Sequence, residues 1–393
     1  MKSDIDKENK PVCDFCRRQK LTAIYKVPTS NLGVSVCLCL NCGLAQSISK
    51  QKIIKNRTVS TSSDAGWGNI RQGKSLRFKK IRNEMDNEID FTGLKRILDI
   101  GSNRGDFVKW IREKNTSSEI TAVEPDKTLV GGYKNISNVL LITDRFEDIA
   151  LPAVHFDFIY CLHTLEHAHS ARQMLEKIYD CLSPSGFCLL EVPDLEYTSN
   201  KFIVEEFFID KHTFHFTRRI LTGFLDFLGF EILKTIEKDN FNITLILKKK
   251  AVNSSAQPSF KTSVKLINQT RKLIADYKKR FRSNIKKLPE IGHKLNELQR
   301  RQKIVIWGAG RIFDALVRYG KLKTDRIDYL IDTYLSVFPG QVHGIKVVEH
   351  GILRQFSPDA AVILATSSVE EIQKTLLSYG IWKIIKFQDL MEI

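Results

Sequence analysis

From about Leu94 to Lys248, short apolar runs alternate with stretches of helical periodicity, and this alternation narrows the fold more than any other feature of the chain. Strands interleaved with helices bury both faces of a mostly parallel sheet, so the segment reads as a doubly wound α/β domain. The predicted strands are Arg96–Ile100, Glu119–Glu124, Val139–Ile142, Phe156–Cys161, Gly186–Val192, Phe230–Glu237 and Asn242–Lys248. The last two follow a long helical stretch and are expected to pair antiparallel at the far edge of the sheet. A second α/β pattern begins at Lys303 and runs through Ile304–Trp307, Tyr329–Ile331 and Ala361–Ala365. At 393 residues the chain exceeds one ordinary core, and two or three domains are expected.

The two patterns are joined by a polar linker, Ala251–Ser259, and a basic amphipathic stretch. Ile267, Ile274, Phe281, Leu288 and Leu295 recur every seven residues, with Tyr277, Ile291 and Leu298 between them, which places one apolar stripe on a helix. Pro289 and Gly292 are expected to interrupt it. The formal charge of the chain is +16, and the 43 residues from Lys261 to Lys303 carry fourteen basic against three acidic side chains, a net of +11. The basic character is therefore regional. A packed stripe with solvated charges is the first expectation, and binding to RNA or an anionic membrane surface the second. The aromatic side chains among the charges, Tyr277 and Phe281, fall on the apolar stripe, which argues against a base-stacking platform.

The eight cysteines are unevenly placed. Cys161, Cys181 and Cys188 fall in the apolar α/β region, whereas Cys13, Cys16, Cys37, Cys39 and Cys42 crowd the front. Disulfide frameworks belong mostly to small secreted domains, which argues against one here. Cys13-Asp-Phe-Cys16 and Cys39-Leu-Asn-Cys42 are two C-x-x-C pairs separated by 22 residues, and four thiolates so spaced suit a closed tetrahedral zinc site. The expected role is structural. Cys37 could replace Cys39 in the set, and iron in the same cage is the alternative metal. No stretch approaches the roughly 18 apolar residues of a membrane span, and Met1–Lys10 lacks the apolar core of a signal peptide. A cytoplasmic protein is expected.

The first strand of the α/β domain runs into a glycine turn, Asp99-Ile100-Gly101-Ser102-Asn103-Arg104-Gly105-Asp106, with a helix starting near Phe107. Such a turn lets a ligand lie against backbone at a helix N-terminus. Glu124, followed by Pro125, ends the next strand, where an acid can take both hydroxyls of a ribose. Asp144-Arg145-Phe146 follows the third strand, where an acid and an aromatic can hold an adenine amine and ring face. The fourth strand opens into His163-Thr-Leu-Glu166-His167.

This ordered set resembles class I S-adenosylmethionine-dependent methyltransferases over roughly residues 94–248. The resemblance implies a Rossmann-like core in which Asp99, Gly101, Ser102, Asn103, Gly105, Glu124, Pro125, Asp144, Arg145 and Phe146 bind S-adenosylmethionine. Leu182-Ser-Pro-Ser-Gly186 is similar to that family's turn before the fifth strand. A dehydrogenase is the structural competitor, but Asn103 replaces the middle glycine of G-x-G-x-x-G. The Gly101-Ser102-Asn103 form, the front C-x-x-C pairs and the α/β tail together resemble the three-domain sugar C-methyltransferases, which methylate a nucleotide-linked ketodeoxysugar. In that group a side-chain base takes a proton from the carbon beside a ketone. The resemblance points to His167 and to His212, in His212-Thr-Phe-His215-Phe216-Thr217, with His163 as a third catalytic candidate; His169 and His215 read as structural or solvated. A neutral imidazole accepts a proton near pH 7. The group's Tyr-His-Glu-His run is replaced here by Ile209-Asp210-Lys211-His212, so sugar O-methylation stands beside C-methylation.

Trp67–Arg77 lies where that group places a substrate-contacting segment, and Arg71, Lys74 and Arg77 could meet a diphosphate. In the tail, Ile304-Val-Ile-Trp307-Gly308-Ala309-Gly310 is again a strand and glycine turn, with Asp332 placed as a ribose acid. Phe313 at the third-glycine position favours a scaffold over a dinucleotide site. The expected organisation is a zinc knuckle over 1–60, a methyltransferase domain over 61–250, a linker and basic helix over 251–302, and a second Rossmann-like domain over 303–393. The leading substrate is a nucleotide sugar. The alternatives are RNA, held by the zinc module and basic helix, and a non-catalytic scaffold. Against RNA, the chain lacks an N/D-P-P-Y/F/W segment after the fourth strand and a Pro-Cys pair for pyrimidine C5 methylation.

Overall fold

The computed structural model describes residues 11–49, 81, 84–237, 242–250, 262–332, 341–355, 361–366 and 369–392. The basic segment Arg71, Lys74 and Arg77, the Ser/Thr-rich stretch before it and the linker Ala251–Ser259 lie outside these residues. The chain divides into two compact units, one drawn from Met1–Val59, Lys74–Tyr197 and Phe208–Ala275, the other from Ser60–Gly73, Thr198–Phe207 and Asp276–Ile393.

In the first unit a small antiparallel sheet comes first: β1 (Leu21–Lys26), β2 (Ser35–Cys39) and β3 (Ala45–Ile48). The α/β part follows as β4 (Arg96–Ile100), α1 (Asp106–Lys114), β5 (Glu119–Val123), β6 (Val139–Ile142), β7 (Phe156–Leu162), α2 (Ala171–Cys181) and β8 (Leu182–Pro193). Then come β9 (Phe214–His215), α3 (Arg218–Phe227), β10 (Phe230–Ile236) and β11 (Asn242–Lys249). The seven-stranded sheet has the order β10-β11-β8-β7-β4-β5-β6. The predicted antiparallel pairing of the last two strands is observed, with β11 lying antiparallel between β10 and β8. Strand β8 starts at Leu182 rather than Gly186, because the Leu182-Ser-Pro-Ser-Gly186 stretch stays in the ladder through a shift in register beside Phe156 and Phe158.

Side chains alternate across the pleat and so fill two cores. Ile97, Phe158, Tyr160 and Leu189 face one side with Phe107 and Ile111 of α1. Leu98, Ile100, Ile159, Cys161 and Leu190 face the other with α2 and α3. That second core also contains Cys13, Phe15, Cys39, Cys42 and Leu44, and Phe15 stacks on Phe224 of α3. The cysteine segment is thus packed into the sheet's own core. Strand β9 joins the small sheet by pairing with β3. Helix starts follow their caps: the Ser170 hydroxyl accepts from Gln173 N at 3.2 Å, and Thr217 accepts from Ile220 N at 3.4 Å.

The basic stretch forms α4 (Val264–Arg301), 38 residues long and continuous through Pro289. This corrects the expected interruption. Proline removes one N–H and crowds the preceding turn, but Leu288 and Ile291 on either side are fully buried, and that burial outweighs one missing bond. Gly292 serves packing rather than a break. A Cβ there would lie 1.8 Å from the carbonyl oxygen of Gly320, so only glycine lets the two backbones approach. Of the predicted stripe, Ile267 and Ile274 are buried in the first unit, and Phe281, Leu288 and Leu295 in the second.

The second unit continues with β12 (Ile304–Trp307), α5 (Arg311–Arg318), β13 (Tyr329–Ile331), β14 (Gln341–Val342), β15 (Ile345–Val348), β16 (Ala361–Leu364), α6 (Val369–Ser378), β17 (Ile384–Lys386) and α7 (Phe387–Met391). Its sheet order is β14-β15-β13-β12-β16-β17, parallel except for β14. No helix among the described residues is long and apolar enough to cross a membrane. Gly292→Ala is expected to destabilise the second unit by about 3 kcal/mol or more. Gly351→Ala, where an added Cβ meets nothing within 4 Å, should stay within about 0.5 kcal/mol. Urea midpoints of the two variants check this, and equal midpoints would refute the close-approach account.

Candidate functional site

Strands β4 and β7 are neighbours, yet the chain leaves β4 toward β5 and β6 and returns to β7 on the other side. Their carboxyl ends therefore diverge, and the loops there frame a crevice. Every glycine-turn and histidine candidate of the α/β core lies on these loops or beside them.

The turn after β4 takes left-handed backbone at Gly101 (φ 65°), Asn103 (φ 53°) and Gly105 (φ 75°). Asparagine tolerates that region better than most side chains, which explains a non-glycine at its centre. The turn is held from below, where Ser102 N donates to Val123 O at 3.0 Å. Glu124, 8% exposed, accepts from Asn103 N at 2.8 Å and from Asp126 N at 2.9 Å. A carboxylate has about four acceptor positions, so two remain for hydroxyls of a ligand. Asp99 is fully buried beneath the turn. Tyr133 donates to Ser102 Oγ at 2.5 Å, and burial, with the charge of Asp99 adding to it, raises its phenol well above the ordinary range. Tyr133 is a member of this site that the sequence reading missed.

The third corner is less uniform. Asp144 and Pro125 are exposed, and Asp144 accepts from Arg145 N at 2.8 Å. Arg145 reaches the carbonyl of His167 at 3.4 Å. Phe146 lies in the core with Lys177 Nζ 4.8 Å above its ring.

The histidines gather around Glu166. His163, just past β7, has φ 47°, a left-handed conformation that costs a non-glycine residue on the order of 1–3 kcal/mol. Its Nδ1 is 3.3 Å from Glu166 Oε1, and its Nε2 is 3.1 Å from Glu191 Oε1. His167 Nδ1 is 2.9 Å from Lys211 O, and its ring centre is 4.9 Å from that of His212. Thr213 N donates to Glu166 O at 2.7 Å, stitching the His212 loop to the end of β7. Burial works to raise Glu166, but the imidazoles of His167, His163 and His212 outweigh it and hold the carboxyl below its ordinary range. Burial also pushes His167 down, against the pull of Glu166. Glu191, which accepts from Thr244 Oγ1 at 2.7 Å, was not singled out in the sequence. Its signal was a lone acid inside the apolar run Phe187–Val192.

His169 is exposed. His215 is buried in β9, with Ser47 Oγ 2.8 Å from its Nε2, and burial pushes it down to about 3. An unfolded histidine titrates near pH 6.5, so the unfolded chain takes up a proton that the folded chain refuses. This contribution to stability is complete above about pH 6.5 and is lost as pH falls toward 3.

In the front segment the sulfurs of Cys13, Cys16, Cys39 and Cys42 all lie within 4.8 Å of one another. Cys13 and Cys42 are 3.4 Å apart, and Cys16 and Cys39 3.5 Å. Tetrahedral zinc–sulfur bonds of about 2.3 Å set sulfurs about 3.8 Å apart, close to this spacing. Asn41 N and Cys42 N point at Cys39 Sγ from 3.4 and 3.5 Å, donors that favour a thiolate. Cys37 stands outside the group. In the second unit Asp332 accepts from Ala309 N at 3.2 Å, and Phe313 is fully buried.

Residues 74–235 match the sequence profile of a family described as a methyltransferase domain. A Bacillus subtilis protein described as a methyltransferase, YrhH, is 29% identical over 113 residues, 28% of this chain and 63% of that protein. The tRNA U34 carboxymethyltransferase of Desulforapulum autotrophicum is 27% identical over 103 residues, 25% of this chain and 31% of that protein. The chain thus spans less than two thirds of the length of either relative. A solved S-adenosylmethionine-dependent methyltransferase from Listeria monocytogenes superposes with a TM-score of 0.39 at 16% identity, covering 44% of this chain and 99% of that one. One from Mesorhizobium loti gives 0.37 at 15% identity, covering 43% and 98%. Residues 74–235, about two fifths of the chain, thus resemble a methyltransferase domain.

Replacing His215 with glutamine keeps a hydrogen-bonding partner for Ser47 and removes the titration. Between pH 7.5 and 5.5 the wild type should lose about 1 kcal/mol more stability than His215→Gln. Parallel pH profiles of the two melting curves would show that His215 is not the group responsible. Asp194, which burial raises to about 6, acts with the opposite sign in both proteins and cancels in the comparison.

Proposed function

We propose that this chain transfers a methyl group from S-adenosylmethionine to a small molecule, in the first place a nucleotide-linked sugar. The observation that carries the reading is the meeting of two groups at the carboxyl ends of β4, β5 and β7: the Glu124-braced glycine turn and the Glu166 histidine cluster. The residues present suit the cofactor. Beside the glycine turn Glu124 has acceptor positions left for a ribose, and Asp144 stands exposed for an adenine amine. When bound, the cofactor supplies an electrophilic methyl group on a sulfonium centre. The chain's own part is to orient the acceptor and to take its proton at the imidazoles of His163, His167 or His212. Either a carbon beside a ketone or a sugar hydroxyl can give up that proton.

We assign residues 1–60 to a zinc knuckle, 61–250 to the methyltransferase domain, 251–302 to a linker and basic helix, and 303–393 to a second Rossmann-like domain. In that last domain Asp332 braces its own turn and Phe313 fills the core, which supports a scaffold. The four-cysteine group suits structural zinc, since four protein ligands leave no open position.

RNA is the second reading. It rests on the exposed lysines of α4, Lys265, Lys272, Lys279 and Lys286, which repeat every seven residues, and on the tRNA-modifying activity named for one relative. RNA affinity would fall steeply with salt, whereas sugar affinity would not.

S-Adenosylhomocysteine is expected to bind the purified chain, and Asp99→Ala or Glu124→Ala to weaken it by about tenfold to a hundredfold without unfolding. Calorimetric titration, repeated with a panel of nucleotide sugars, measures both. Unchanged affinity in the variants would refute the cofactor assignment. The cysteine cage is expected to hold one zinc, lost on Cys13→Ser with Cys16→Ser; a folded wild type whose cage takes up no metal would refute the knuckle.

A further inference from the structure

Glu166 is 1% exposed, and neither of its carboxylate oxygens has a hydrogen-bond partner. An unsatisfied buried carboxylate is costly. Its neighbours explain what it faces. The Lys211 carbonyl can only accept, so His167 Nδ1, 2.9 Å away, carries the proton of the neutral ring. His167 Nε2 then presents a lone pair, and it lies 3.7 Å from Glu166 Oε1. Two acceptors thus confront each other across a gap too wide for a hydrogen bond. His212 brings a third ligand atom, and all three lie within 4.8 Å of one another.

We propose that Glu166, His167 and His212 form a divalent transition-metal site, distinct from the cysteine cage. Ligand bonds of about 2.0–2.2 Å place neighbouring ligands roughly 3–3.7 Å apart, which the gap between Glu166 and His167 already matches. One carboxylate with two imidazoles selects zinc, iron(II), cobalt(II) or nickel(II) over magnesium or calcium. The supporting contacts are those a metal site needs. Lys211 O fixes the tautomer and tilt of His167, and Thr213 N to Glu166 O at 2.7 Å ties the loop bearing His212 to the other two ligands. His163 Nδ1 lies 3.3 Å from the same Glu166 Oε1 and steadies the carboxylate.

Three protein ligands leave coordination positions open, in contrast to the closed four-cysteine set. The ligand class that fits them is an oxygen-bearing acceptor, such as a sugar hydroxyl or ketone, held through its oxygen beside the cofactor turn. This deepens the methyltransferase reading and rests on it for the identity of the acceptor; with His167 and His212 engaged as ligands, His163 is the imidazole of the three left to take the acceptor's proton, and metal binding itself is tested separately.

The full chain, stripped of metal, would be dialysed against cobalt(II) and its metal content measured beside its visible spectrum. The expected result is that Glu166→Gln and His212→Ala each lose one cobalt per chain and keep the thiolate-to-cobalt absorption. The Cys13→Ser, Cys16→Ser variant should lose that absorption and keep the other cobalt. His212 is half-buried on a loop, so His212→Ala gives the answer if Glu166→Gln does not fold. Cobalt content unchanged by both substitutions would overturn the proposal, and would mean that Glu166 is neutralised by imidazolium alone. Titrating the same samples with S-adenosylhomocysteine separates the two readings. Nucleoside binding without a second cobalt rejects only the metal site, and a second cobalt without nucleoside binding rejects only the methyltransferase reading.

Discussion

Parallel strands cannot be joined by tight turns, so the chain must leave the end of each strand, cross a face of the sheet and begin again at the opposite end. In the seven-stranded sheet that requirement acts first at β4, the first strand of the sheet to form along the sequence. From there the chain builds outward to β6 before returning to β7. The loops after β4 and β7 are pulled to opposite faces, and space opens between them. Several strand ends meet there, so a ligand in that space can touch more than one of them at once. Burial of the sheet on both faces then makes those ends rigid: Ile97 and Leu98 are fully buried on opposite sides, within four residues of the turn that begins at Gly101.

Rigid strands place strained loops where a mobile framework would relax them. Gly101, Asn103 and Gly105 occupy left-handed backbone within one turn, and His163 does so at the matching position after β7. The first turn is stabilised by Glu124, whose two oxygens accept two backbone N–H groups. The second is held by His163 N donating to Glu191 O at 2.8 Å, and by the His163 ring lying between two acids. In both places an acid of the neighbouring segment holds the loop, Glu124 through its carboxylate and Glu191 through its backbone carbonyl.

What could be read from the residues alone followed from how local each signal is. The glycine turn was legible because backbone conformation, helix start and following acid all lie within some 25 residues. The four-cysteine group was legible because its spacing is itself the geometry. The Pro289 break failed because helix continuity there depends on what Leu288 and Ile291 pack against, and Gly292 proved to mark a backbone contact with Gly320, far along the chain. Glu166 and Glu191 were quoted or passed over as ordinary acids, because nothing near them in sequence says that both are buried and turned toward one histidine. Phe146 shows how one residue can carry two signals. It stands at the position an adenine-binding aromatic would take, yet it is an apolar residue that the core can also use, and it lies in the core.

The cysteine cage and the histidine loop share one framework within the first unit. Strand β3 leaves the Cys39–Cys42 turn and pairs with β9, so Ala45 lies opposite His215 and Gln46 opposite Phe214. Ser47 N donates to Thr213 O at 2.7 Å, and Asn31 N donates to Asp210 Oδ2 at 3.0 Å. Residues on both sides of His212 are therefore held by the small sheet, while Thr213 N holds the same loop to the end of β7. The direction of the His212 ring depends on two anchors that meet only if the small sheet keeps its register. That register begins at the four-cysteine turn, where contact with Cys39 and burial hold Cys13 above the ordinary thiol range, contact with Cys13 and burial do the same for Cys42, and contact with Cys13 and Cys42 holds Cys39 below it. The small sheet thus joins the four-cysteine turn to the loop that bears His212, so any group that stiffened the turn would stiffen the loop as well.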